Sequence, residues 1–166
     1  MSELELSWDI MGYDAPPIEQ LEVCFSEIAE KEMKGLPFFR EGIPVKAGGF
    51  TLFEKQWIGT VLTPWMLELV VFPGPSQEWP RRKIGERIAL ELPCGQVKFV
   101  VGELADGIQY LACSLMSPLD RHLKGDQAVE LAENSVKMAL SLPVQTQSVA
   151  EVDLSRRSLF RGQLRS

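Results

Sequence analysis

The chain has 166 residues, 45% of them hydrophobic and 24% charged, with a mean hydropathy of −0.01. That composition fits one globular domain and excludes wholesale disorder. The formal net charge of −6 disfavours nucleic acid and anionic lipid as partners and favours basic peptides.

No apolar run approaches the roughly 20 residues a membrane helix needs, so direct membrane insertion is not expected. Met1–Ile10 has no basic start and carries Glu3 and Glu5, so no secretory signal is read there and the expected compartment is the cytoplasm. Cys24, Cys94 and Cys113 are odd in number and contain no C-x-x-C pair. A disulfide framework and a zinc site are both disfavoured, and all three read as reduced thiols in or near the core.

In chain order, residues 1–15 show no periodicity and are expected to be flexible. Asp14-Ala15-Pro16-Pro17 reads as a helix start, with Asp14 as the capping candidate. Ile18, Leu21, Phe25 and Ile28 then recur at helical steps, and Glu19, Glu22, Ser26 and Glu30 recur on another face. The helix ends near Gly35-Leu36-Pro37, and residues 35–49 read as loop.

Strands are expected over Phe50–Glu54, Trp57–Thr63 and Met66–Phe72, with Lys55-Gln56 turning the first pair. The third strand is nearly all apolar, so both its faces should be covered. Trp79–Gly85 is ambiguous between loop and helical turn. Ile88, Leu90 and Leu92 alternate with Arg87, Ala89 and Glu91, and after a Pro93-Cys94-Gly95 turn Val97, Phe99 and Val101 continue on a returning strand. Asp106-Gly107 signals a hairpin before the last strand, Ile108–Leu115. Asp126 can cap a second helix with Val129, Ala132, Val136 and Ala139 as its apolar stripe, ending before Pro143.

The strands form one block with a helix on either side. The fold class is therefore α+β: a single domain with a mainly antiparallel five- or six-stranded sheet, its apolar face covered by an N-terminal and a C-terminal helix. The expected bounds are a flexible N-terminus over 1–15, the domain over 16–143, and a flexible basic tail over 144–166.

Chemistry-bearing patterns are sparse. His122 is the single histidine and sits in a polar loop, where a solvated side chain is the commoner outcome. Cys113 and Ser117 are nucleophile types without a recognisable partner. Phosphate-cradling glycine motifs are absent from the sequence. No cofactor, no metal and no catalytic residue is expected. Trp57, Trp65 and Trp79 crowd one stretch with Met66 and Phe72; such side chains are core by default and groove-lining in peptide binders.

Phe50-Thr51-Leu52-Phe53-Glu54, Gln56-Trp57 with Gly59, Thr63-Pro64-Trp65-Met66, Phe72-Pro73-Gly74-Pro75 and Trp79-Pro80 follow one another along the chain. Further along come Leu92-Pro93, Gly95, Gly102-Glu103-Leu104, and Tyr110 with Ser114-Leu115-Met116-Ser117-Pro118. Taken together these segments resemble the HybE/HupJ family of nickel–iron hydrogenase assembly chaperones. The likeness spans about residues 18–143 and lies in the order and spacing of the segments.

The resemblance implies a cytoplasmic maturation factor that is not an enzyme. Its partner would be the hydrogenase small-subunit precursor, held back by its twin-arginine signal peptide until its clusters and the large subunit are in place. The large subunit is a further candidate partner. Two alternatives stay open: a scaffold docking folded subunits without touching the signal, and a factor assisting iron–sulfur cluster insertion.

The candidate client-binding residues are Trp65, Met66, Phe72, Trp79 and Met116 for apolar contact. Glu19, Glu22 and Glu103 are the candidates for attracting arginines. The tail adds one more element. Ser155-Arg156-Arg157-Ser158-Leu159-Phe160-Arg161 is similar to a twin-arginine signal with its two apolar residues exchanged, and only Gly162–Ser166 follow it. A solvated basic end is its default reading; the functional one is a signal mimic using Arg156, Arg157, Leu159 and Phe160.

Overall fold

The computed structural model describes residues 10–104 and 107–141. Among them lie eight strands and two helices: β1 Ile10–Met11, α1 Ile18–Ile28, β2 Lys46–Phe53, β3 Gln56–Thr63, β4 Met66–Pro73, β5 Glu78–Trp79, β6 Arg87–Leu92, β7 Gly95–Glu103, β8 Gln109–Met116 and α2 Gly125–Ala139. Six strands form one sheet in the order β2-β3-β4-β8-β7-β6 with every pairing antiparallel, and β1 and β5 form a separate two-stranded pair. The expected α+β domain is borne out.

The two helices lie on opposite faces of the sheet rather than on one. Alternation along β3 and β4 explains this. Ile58, Leu69 and Val71 join Val136 and Ala139 of α2, and Leu62 and Leu67 join Ala128 and Ala132. Val61, Val70 and Phe72 point the other way and join Leu21 and Phe25 of α1 and Ala29 just after it. The nearly continuous apolar run in β4 is therefore a strand with a helix above and a helix below. At the far side of the sheet, β6 and β7 bury one face only. Val97, Phe99 and Val101 lie in the core on the α2 side, while Lys98 and Val100 face solvent.

Asp14 does not cap α1. The capping position is Pro17, without a side-chain cap, and the Pro17 carbonyl accepts from Leu21 N at 3.1 Å. Both prolines thus precede the helix, where their missing N–H groups cost nothing. Glu19 sits in the first turn, where a carboxylate complements the helix dipole. After Ile28 the helix widens into a π-helical turn, Ala29–Met33.

Residues expected as loop before Phe50 are already strand. β2 begins at Lys46, and Gly48-Gly49 lie at a register shift within it rather than in a loop. Gly49 has φ +69°, and a Cβ there would stand 3.2 Å from Val136 of α2, so this bulge requires glycine. The turn after β2 is Glu54-Lys55, both at positive φ, one residue earlier than expected and with the handedness of a tight hairpin.

Within residues 1–15, Ile10–Met11 pair with Glu78–Trp79, and Tyr13 N donates to Pro73 O at 3.0 Å. A two-residue strand carries no readable period, which is why neither partner was visible in the sequence. Gly107, at φ +80°, closes the β7–β8 connection with its N–H to Leu104 O; Asp106 lies outside the described residues.

Asp126 is in the first turn of α2 and not its cap. The cap position is Lys124, whose backbone N–H donates to Gln127 Oε1 at 3.0 Å. Ala128, Ala132, Val136 and Ala139 are buried and Val129 is half-buried. Three alanines in that stripe let the helix lie close to the sheet, close enough for Thr60 Oγ1 to donate to Ala132 O.

A candidate client-binding groove on the first helix

The side of α1 turned away from the sheet is mixed in character. Glu19, Glu22, Val23, Ser26, Glu27 and Glu30 follow at steps of one, three and four, which places them on one helical stripe. Together with Lys31 and with Val45 at the entry to β2, they line a shallow groove between the helix and the edge strand. Val23 is 53% exposed in the middle of it.

One wall of the groove is fixed by Glu22, whose Oε2 accepts from Ala47 N at 2.9 Å. Glu22 thus has one oxygen committed to the backbone of β2. At the far end, Glu30 pairs with Lys34 at 3.7 Å across solvent, a contact of small energetic weight. Glu19 and Glu27 are exposed carboxylates of the same stripe.

The apolar candidates are not gathered into one patch. Phe72 is wholly enclosed, stacked on Tyr110 at 5.4 Å and edge-on to Tyr13 at 5.7 Å. It is core. Trp65 is 8% exposed in the β3–β4 turn and stacks on Phe39 at 6.3 Å, with Met66 half-buried beside it. Trp79 is half-buried and packs on the core of the α2 side, its Nε1 donating to Gln77 Oε1 at 3.1 Å. Met116 packs with the cluster under α2, and its sulfur accepts from Asp120 N. Glu103 stands at the end of β7, where it accepts from Gln109 Nε2 at 2.9 Å and pairs with Arg81 at 3.6 Å. It is already engaged, and it lies on a different element from Glu19 and Glu22.

Sequence reading passed over a second exposed apolar site. Leu36 is 37% and Phe38 41% exposed, directly after the π-helical turn and beside the Phe39–Trp65 stack. The signal was present as Leu36-Pro37-Phe38-Phe39, three large apolar residues in a segment read as loop.

It also passed over Glu68. This carboxyl sits on the α1 side of β4, and its Oε1 is enclosed without a hydrogen-bond partner. Loss of hydration pushes its pKa from the ordinary 4.5 up to about 7. Burial also raises Tyr110, and raises Cys113 to about 11, in each case with a further push from Glu68.

The chemistry-bearing candidates are dispersed. Cys113 is buried in the α2-side core, Ser117 follows β8 in an exposed position, and His122 is exposed with its backbone N–H on Asp120 Oδ1. Among the described residues no three His, Cys, Asp or Glu side chains gather as metal ligands. No helix among them is long and apolar enough to cross a membrane.

The fold and its order of segments place the chain in a known class. The family model of the NiFe-hydrogenase assembly chaperone HybE matches residues 16–162, and the chain belongs to that family. It is 46% identical over 154 residues to the Hydrogenase-2 operon protein HybE of Escherichia coli strain K12, covering 93% of this chain and 94% of that protein. It is 27% identical over 146 residues to the Hydrogenase expression/formation protein HupJ of Bradyrhizobium diazoefficiens, covering 84% of each. The solution structure of HybE from Escherichia coli superposes with a TM-score of 0.71 at 46% identity, over 86% of this chain and 88% of that one.

Proposed function

We propose that this hydrogenase assembly chaperone works by binding and not by catalysis. Its client is the small-subunit precursor of a nickel–iron hydrogenase, gripped through its twin-arginine signal peptide so that export waits for assembly. The observation that carries the reading is the α1 groove, where Glu19, Glu27 and the remaining oxygen of Glu22 surround an exposed Val23. Guanidinium groups pair with carboxylates in two-pronged fashion, and an adjoining apolar residue of the signal finds Val23. Each exposed pair contributes only about 0.2–1 kcal/mol, so the grip requires several at once and weakens with salt.

The test is calorimetry with the signal peptide and its double-lysine variant, against the wild-type chaperone and Glu19→Gln/Glu27→Gln. The expected result is binding that falls at least several-fold with either change. Absence of binding by both peptides would remove the signal-peptide reading.

A second reading is a scaffold that docks folded subunits. Exposed Leu36 and Phe38 favour it, because neighbouring apolar side chains left open to water suit a protein surface. Retention of a precursor that lacks its signal separates the two readings.

A further inference from the structure

The α1 groove has a candidate occupant within the chain itself. Residues 154–166 hold Arg156, Arg157, Arg161 and Arg165 and no acidic residue, with Leu159, Phe160 and Leu164 between the charges. The groove offers the complement: glutamates along one helix face, with Val23 and Val45 between them. Building on the groove assigned above, we propose that residues 156–160 of the same chain dock there and compete with the client.

Reach permits it. The described chain leaves α2 at Ser141, which together with Gly49, Phe50 and Thr51 lines a hollow against β2. Val45, the apolar wall of the α1 groove, stands just ahead of that same edge strand. From Val45 to Phe50 is about 17 Å along an extended strand. Arg156 lies fifteen residues beyond Ser141, a contour of about 50 Å. The chain therefore needs only to pass around the free edge of β2 to bring both arginines to α1.

Contacts of this type are weak singly, and the tether compensates. A linker of this length gives a local concentration on the order of 1 mM. Were the intrinsic dissociation constant on the order of 0.1 mM, about one groove in ten would stand open, and a client would bind roughly tenfold more weakly than to an unoccupied groove.

The experiment compares amide spectra of the full-length chain with those of full-length Arg156→Ala/Arg157→Ala. The expected result is shift differences on residues 18–31 and 45–47 that persist on dilution. In the wild type the same amides move to the variant's positions in ~0.5 M salt. Shift differences that leave α1 and the start of β2 untouched, or that vanish on dilution, overturn the proposal. Titrating both proteins with the hydrogenase signal peptide separates this from the client reading. Shifts at α1 without peptide binding by either protein uphold tail docking and remove the client. Equal peptide affinity for both proteins without shifts does the reverse.

Discussion

Replacing Glu68 by glutamine should remove a pH-dependent loss of stability. In the folded chain this carboxyl titrates at about 7, raised from 4.5 by desolvation, with Oε1 enclosed and unpartnered. Between those values the folded state holds the proton and the unfolded state does not. Stability must therefore fall as pH rises through that window. Below pH 4.5 Glu68 is neutral in both states and imposes no penalty. Above about 7 the folded state carries a buried charge, and the full gap applies. At 1.36 kcal/mol per pH unit this is ~3 kcal/mol.

The amide introduced by Glu68→Gln cannot ionise, but it leaves buried polar atoms that cost ~1–2 kcal/mol at every pH. Glu68→Gln should thus be slightly less stable than wild type at about pH 5 and more stable at about pH 8. The assay is urea unfolding followed by tryptophan fluorescence at several values across that range, read as the difference between the two proteins, which cancels other titrating groups. A difference that stays constant from about pH 5 to 8 would refute the reasoning.

Three further outcomes follow from other contacts. Glu22→Ala removes the carboxylate that accepts from Ala47 N; it should cost about 1 kcal/mol in urea unfolding and speed hydrogen exchange at the Ala47 amide. Gly59→Ala would place a Cβ 2.5 Å from the Phe50 ring; it should cost ~1–3 kcal/mol alone and much less in a Phe50→Ala background, as a double-mutant cycle would show. Leu36→Ser/Phe38→Ser alters two exposed side chains; it should leave stability within about 0.5 kcal/mol while lowering retention of folded hydrogenase subunits in a pull-down, if the scaffold reading holds.

Alternation made most of the sheet legible. β3, β4, β6 and β7 could be read because their apolar residues recur every second position or run continuously. The acidic stripe of α1 was equally visible, since Glu19, Glu22, Ser26 and Glu30 mark it by spacing alone. The start of β2 was not, because Gly48-Gly49 carries a loop signature while serving as a bulge under α2. Side-chain exposure also escaped: Phe72 and Phe38 are the same residue type, one in the core and one on the surface, and only tertiary packing separates them. Glu68 was hidden for a related reason, as a single carboxylate within an apolar run whose cost appears only once tertiary packing encloses it.

The division of labour between edge and centre has a mechanical consequence. β3 and β4 are covered on both faces, whereas β2 is a free edge, where the Glu22 carboxylate accepts from the Ala47 amide and Ala47 packs with Leu21 and Phe25. A cation that drew Glu22 away would free the Ala47 amide at the rim of the sheet and leave the covered β3–β4 hairpin in place. The margin would then yield one hydrogen bond while the core on both sides of the sheet keeps its packing.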